Sequence, residues 1–224
     1  YQKTEGGVAV IDINTLGVLY LVTGDKTVTE VADLKGRTIY LTGKGTTPEY
    51  ALRYLLEVSG LSPDDVSLEF KSEAAEVASI LAQNPDAIGL LPQPFATAAL
   101  AQNSELSLVL DLTQVWDAYR TEENPGRLVT GVAAHPDLIN LFLTEHEASI
   151  RFTADDPDSA AALIADTGIV ADASIAKKAL PYCNITFLSG KDCREALEGY
   201  LQILYAQNPA SVGDALPDDD FYYM

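Results

Sequence analysis

Basic residues are scarce in this chain of 224: 14 Lys and Arg stand against 33 Asp and Glu, a net charge of −19. Neutralising phosphates takes clustered Lys and Arg, so the balance excludes a nucleic-acid partner. It also disfavours docking on an anionic membrane surface. Histidine is nearly absent. His135 and His146 are not spaced i and i+4, and HExxH does not occur. Gly-x-Ser-x-Gly and Cys-x-x-Cys are missing as well, which removes a hydrolase elbow and a thiol redox pair. No apolar run approaches the ~18 residues that span a bilayer. The opening YQKTEGG is neither a signal peptide nor a lipid-anchor site. The only cysteines are Cys183 and Cys193. Two buried or half-buried thiols are the preferred reading, and a disulfide between them is sterically conceivable. Asp218-Asp219-Asp220 lacks the alternating ligands of a calcium loop and reads as solvated tail. These absences indicate no catalytic residue, no metal and no cofactor. A small anionic ligand stays open, because local donors can overrule a distant net charge.

What is present is a strand–helix alternation. Val8–Ile13 and Gly17–Val22 read as extended apolar segments, and Arg37–Leu41 as a strand. A helix follows from Thr46 or Thr47, with apolar stripe Ala51, Leu52, Leu55, Leu56 and Val58, and Gly60 ends it. Strands Val66–Phe70, Ala87–Leu91 and Leu106–Leu110 alternate with helices from Ser72 and Phe95. This predicts an α/β unit with a largely parallel sheet over residues 35–112. Trp116 and Tyr119 then lie in a polar stretch, and Thr121–Arg127 reads as a connector. Beyond it the chain is helix-rich. Pro136 introduces a helix with Leu138, Phe142, Leu143, Ala148 and Phe152 facing inwards, and Asp156 and Asp172 open two more. Asn184–Phe187 is the one clear strand there, followed by a long helix carrying Cys193, Leu197, Tyr200, Leu201, Leu204 and Tyr205. One strand cannot make a sheet, so its partners must come from Val8–Val22 or from outside the chain. The reading is of two lobes with a discontinuous first one: 1–27 in lobe one, 28–124 as lobe two, 125–224 returning to lobe one.

The segment Thr42-Gly43-Lys44-Gly45-Thr46-Thr47 joins a strand to a helix. Its glycines permit a tight turn and close ligand approach, while the helix start presents N–H donors and Lys44 adds a charge. It is neither a P-loop nor GxGxxG. Ligand contact and a purely structural turn and cap both fit it. Thr46-Thr47-Pro48-Glu49 also has capping-box spacing. Ligands of open α/β sheets bind beyond the carboxyl ends of strands, which draws in Gln93 of Pro92-Gln93-Pro94. Asn14, Thr15 and Thr130 are further polar candidates beside apolar runs.

The sequence ADLKGRTIYLTGKGTTPEYALRYLLEVSGL, flanked by NTLGVLYLV and DAIGLLPQPFATAAL, resembles the solute-binding proteins of ABC transporters for nitrate, sulfonates, taurine and thiamine precursors. The end from GIVADASIAKKALPYCNITFLSG onward is similar to a bacterial subgroup of the same family. The resemblance spans essentially the whole chain. It implies a type II periplasmic-binding fold, two α/β lobes closing on a solute in a cleft, with no chemistry performed. It implies a monomer outside the cytoplasm, in the periplasm or lipid-anchored at the cell surface, that delivers its solute to ABC permease subunits. In relatives the glycine–threonine turn gives polar contacts to the ligand, a role that falls here on Gly45, Thr46 and Thr47 with Lys44 beside them. Where the subgroup often reads Pro-Glu-Pro, this chain has Pro92-Gln93-Pro94, which removes a negative charge from the cleft rim. The expected cleft is lined by Asn14, Thr15, Gly45–Thr47, Gln93 and Thr130. Two differences from the family accompany the likeness: relatives carry a further lobe-one segment before the point where this chain opens, and Leu128–Ala134 meets His135-Pro136 sooner than in them. Two alternatives are an enzyme on the same scaffold that makes a thiamine pyrimidine precursor, and a sensor that does not transport.

Overall fold

A computed structural model describes residues 5–135 and 139–224, so Pro136 and Leu138 of the expected helix start lie outside the described residues. The chain divides into two compact units, residues 1–17 with 120–224, and residues 18–119. The chain enters the first unit with β1 (Ala9–Leu16), whose Val10, Ile11, Asp12 and Ile13 are all buried.

The second unit follows without interruption. It holds β2 (Leu19–Thr23), β3 (Thr38–Leu41), α1 (Thr47–Val58), β4 (Ser67–Phe70), α2 (Ala74–Gln83), β5 (Ile88–Pro92), α3 (Phe95–Gln102), β6 (Ser107–Asp111) and α4 (Leu112–Ala118). Its sheet runs β4-β3-β5-β2-β6. β3 is parallel to both β4 and β5. β2 is antiparallel to β5 and β6 and lies between them. The expected parallel sheet is therefore mixed. β2 belongs to this unit, so the crossing into it falls at Gly17-Val18, well before residue 28, because β2 fills the slot between β5 and β6.

The local causes are plain. α1 buries Ala51, Leu52, Leu55 and Leu56, each worth about 1–3 kcal/mol on burial. It ends where Gly60, at φ +83°, turns the chain and Leu61 N–H bonds back to the Leu56 carbonyl. β5 is flat against α2 because Gly89 has no side chain; a Cβ there would lie 2.8 Å from Val77 Cγ1. Trp116, expected in a polar stretch, is buried in α4, a helix started by Asp111, which accepts the Thr113 N–H at 2.8 Å.

The chain then returns to the first unit with β7 (Val129–His135), α5 (Ile139–Asp155), α6 (Pro157–Asp166), α7 (Ala173–Ala179), β8 (Ile185–Ser189) and α8 (Gly190–Gln207). β1 is the partner that the lone late strand needed. It sits between β7 and β8 in a three-stranded antiparallel sheet. α8 buries Cys193, Ala196, Leu197, Tyr200, Ile203 and Leu204, while Tyr205 is exposed. The connector locks onto this helix at Gly126 and Gly199; a Cβ on Gly199 would sit 2.5 Å from Gly126 Cα. Tyr222 is buried, with Tyr223 N–H bonded to the Val10 carbonyl at 2.9 Å and Arg194 over the Tyr222 ring. The inward face of α5 differs from expectation. Phe142, Ala148 and Phe152 are exposed, and Leu143, His146, Ile150 and Thr153 occupy the half-buried side. Among the described residues no helix is long and apolar enough to cross a membrane.

Candidate functional site

β3, β4 and β5 run in parallel, and β6 shares their direction because β2 is antiparallel to both β5 and β6. The segments that leave them therefore emerge at one edge of the second unit's sheet. That edge carries Thr42–Thr47 after β3, Lys71 after β4 and Gln93-Pro94 after β5. The Gln93 N–H bonds to the Val18 carbonyl at the start of β2, which ties the β5 segment to the same edge.

The turn after β3 holds itself together. Gly43 and Gly45 take positive φ of 79° and 74°, and at Gly43 a Cβ would collide with the Thr46 hydroxyl. That hydroxyl donates to the Gly43 carbonyl at 2.7 Å instead of capping α1. Glu49 reaches back past Thr46 to accept the Gly45 N–H at 2.7 Å, so the capping-box spacing is used in a shifted form. Arg53 Nε bonds the other Glu49 oxygen at 2.8 Å. Burial pushes the Glu49 carboxyl up, but the Gly45 N–H, Arg53 and Lys44 together outweigh it and hold the group below its ordinary value. Lys44 extends its ammonium over the Phe70 ring at 5.7 Å.

Gln93 is only 8% exposed. Its Oε1 accepts from Thr97 Oγ1 at 2.8 Å and from Thr97 N–H at 3.3 Å, in the first turn of α3. A backbone N–H can only donate, so the amide oxygen must face Thr97 and the nitrogen must face away. That Nε2 is buried and has no hydrogen-bond partner among the described residues. A buried unpaired amide N–H costs about 1–3 kcal/mol, a penalty that a ligand acceptor would remove. Phe95, two residues on, is 44% exposed and adds an apolar face to the edge.

The remaining sequence candidates are gathered in the first unit. Asn14 and Thr15 lie near the end of β1, with Thr15 Oγ1 donating to Asn14 Oδ1 at 2.9 Å. The β1–β7 register slips beside them, leaving Thr130 between the paired residues Val129 and Gly131, and its hydroxyl donates to the Leu16 carbonyl. Gly131 lets the strands close, since a Cβ there would come within 3.0 Å of Thr15 Cβ. The candidates therefore form two sets: Asn14, Thr15 and Thr130 in one unit, and Lys44, Gly45, Thr46, Thr47 and Gln93 in the other.

One polar pair went unread in the sequence. Asp12 is wholly buried in β1, and its Oδ2 meets His146 Nδ1 of α5 at 2.9 Å, while its Oδ1 has no partner among the described residues. The His146 ring lies 4.9 Å from Phe142 and 6.4 Å from Phe187. The signal that flags Asp12 is its place as a lone carboxylate inside the apolar run Val8–Ile13. The conceivable disulfide is not formed, and the preferred reading of two thiols holds: Cys183 and Cys193 are free, one half-buried and one buried. Cys183 Sγ turns to the Ala179 carbonyl at 3.3 Å. Burial and the nearby Asp12 carboxylate push the Cys193 thiol up to about 12. Among the described residues no group of three His, Cys, Asp or Glu side chains converges as a metal site would require.

A second unit whose sheet carries donors at the carboxyl ends of its strands, and a first unit built from the segments that precede and follow it in sequence, define the class: this is a type II periplasmic-binding fold. The chain belongs to the NMT1/THI5-like family, whose model matches residues 7–160. Solved structures of similar fold include an ABC transporter protein from Parabacteroides distasonis, at TM-score 0.79 and 24% identity, covering 97% of this chain and 74% of that one. Another is the periplasmic aliphatic sulphonate binding protein SsuA from Escherichia coli, at TM-score 0.73 and 17% identity, covering 98% and 73%. The alkanesulfonate-binding protein SsuA from Xanthomonas axonopodis pv. citri bound to MOPS is similar at TM-score 0.65 and 16% identity, covering 92% and 71%. No curated sequence matches the chain.

Proposed function

We propose that this protein is the extracytoplasmic solute-binding component of an ABC importer, a monomer that captures a small solute and passes it to permease subunits without altering it. It works in the periplasm or at the cell surface through a lipid anchor. Membership of the NMT1/THI5-like family and the likeness to ABC-transporter and sulphonate-binding structures support the reading. The observation that carries it is the Gln93 amide nitrogen, buried and unpartnered beyond the carboxyl end of β5, where open α/β sheets take their ligands.

Thermal-shift screening of sulfonates, nitrate, pyrimidines, carboxylates and their amides tests this. A solute that raises the melting temperature of the wild type, and does so far less in Gln93→Glu, is the expected result. A solute that stabilises both proteins equally would place the site elsewhere.

A further inference from the structure

The start of α1 already holds an anion, and that anion is Glu49. Its carboxylate accepts the Gly45 N–H at 2.7 Å and the Arg53 Nε–H at 2.8 Å, and the side chain is buried. Gly45's positive φ aims that N–H, which in many folds seats a ligand phosphate or sulfonate. Here the chain supplies its own carboxylate. The Thr46 hydroxyl is likewise engaged, on the Gly43 carbonyl. Lys44 sits over Phe70, and its field falls on Glu49. Residues 18–119 carry six Lys and Arg against fourteen Asp and Glu, a balance of 6 − 14 = −8. A second anion brought to this edge meets Glu49 at close range inside a negative field. Among the described residues of this unit, the buried side-chain donor without a partner is the Gln93 amide nitrogen, which is neutral.

We infer that the ligand group seated at this edge is an uncharged hydrogen-bond acceptor, such as an amide carbonyl, a sulfonamide oxygen or a ring nitrogen, and that Glu49 is a resident anion that excludes sulfonates, carboxylates and nitrate from the start of α1. The inference rests on the reading that Gln93 meets the solute. The exposed Phe95 beside Gln93 suits a ligand whose acceptor is carried on an apolar or flat body.

Matched pairs that differ in charge and little in shape test it by isothermal titration: nicotinamide against nicotinate, and ethanesulfonamide against ethanesulfonate, with inorganic sulfate as a free anion. The uncharged member binds at least about tenfold more tightly than its anionic partner, and Gln93→Glu weakens that binding by at least about 30-fold. Sulfate raises the wild-type melting temperature no more than chloride does at matched ionic strength. Glu49→Ala, which vacates the seat, gains a sulfate-dependent rise. Glu49→Gln keeps an acceptor for Gly45 while removing the charge, so it preserves the fold and narrows the gap between the paired ligands. Anions that bind as well as their uncharged partners, with loss of both in Gln93→Glu, overturn the inference and leave the solute-binding site standing. Binding that ignores the Gln93 substitution overturns both, and failure of every uncharged member to bind overturns the inference.

Discussion

Replacing Gln93 with Glu changes one amide nitrogen to oxygen and isolates the claim that this nitrogen waits for a ligand. The glutamate keeps an oxygen for Thr97, whose hydroxyl and N–H now lie 2.8 and 3.3 Å from Oε1. What is lost is the unpartnered N–H, which costs the free protein about 1–3 kcal/mol. What is gained is a carboxylate at the first turn of α3, favoured by about 0.3–1 kcal/mol through the helix dipole and opposed by its desolvation. These terms nearly cancel, so the stability of the ligand-free protein should change by less than about 2 kcal/mol. Ligand affinity should not be spared, because an acceptor that met an N–H now meets an oxygen. Loss of the bond and the new repulsion together come to about 2–4 kcal/mol, or about 30-fold to 1000-fold in Kd. Urea denaturation without ligand and isothermal titration with it measure the two quantities on the same preparations. A variant that loses several kcal/mol of stability and keeps its Kd would show that Gln93 is a packing residue, refuting the argument.

Other outcomes follow from the same structure. His146→Ala leaves the wholly buried Asp12 carboxylate without its imidazole, and chemical denaturation should register a loss of about 3–5 kcal/mol; a change under about 1 kcal/mol would mean the pair contributes little. Glu49's carboxyl is held below its ordinary 4.5, so its contribution to stability is complete above that pH and lost as pH falls through the folded value. The stability gap between wild type and Glu49→Gln should therefore shrink on acidification below about pH 4.5, and a gap that widens would reverse the assigned sign. Both thiols should resist iodoacetamide in the native protein, where burial raises both and pushes Cys193 up to about 12, and both should react on unfolding; an intact mass two hydrogen atoms short would reveal a disulfide instead.

Local chemistry was legible in the sequence and long-range pairing was not. The turn after β3 announced itself through Gly43, Gly45 and Thr46 because backbone conformation there is set by adjacent residues. The destination of the Glu49 side chain was hidden, since it depends on how Gly45's positive φ turns one N–H. β2 read correctly as a strand, yet its fully buried run LYLVT is apolar on both faces and carries no sign of its partners. α5 was read in the wrong phase for a definite reason. Phe142 and Phe152 are apolar but exposed, and His146 is polar but turned inward to a carboxylate 134 residues away. Of the binding candidates, Gln93 was visible only as an amide after a strand; its significance comes from Thr97 fixing the amide's orientation.

The contact on which everything else turns is the one between Gln93 Nε2 and the solute. A crystal structure of the protein with the tightest uncharged solute from the matched pairs tests it most directly. The expected result is an acceptor atom of the solute within about 2.7–3.2 Å of Gln93 Nε2, with Glu49 still bonded to the Gly45 N–H. A solute bound elsewhere with Gln93 Nε2 still unpaired, or an anion displacing Glu49 from Gly45, would contradict it.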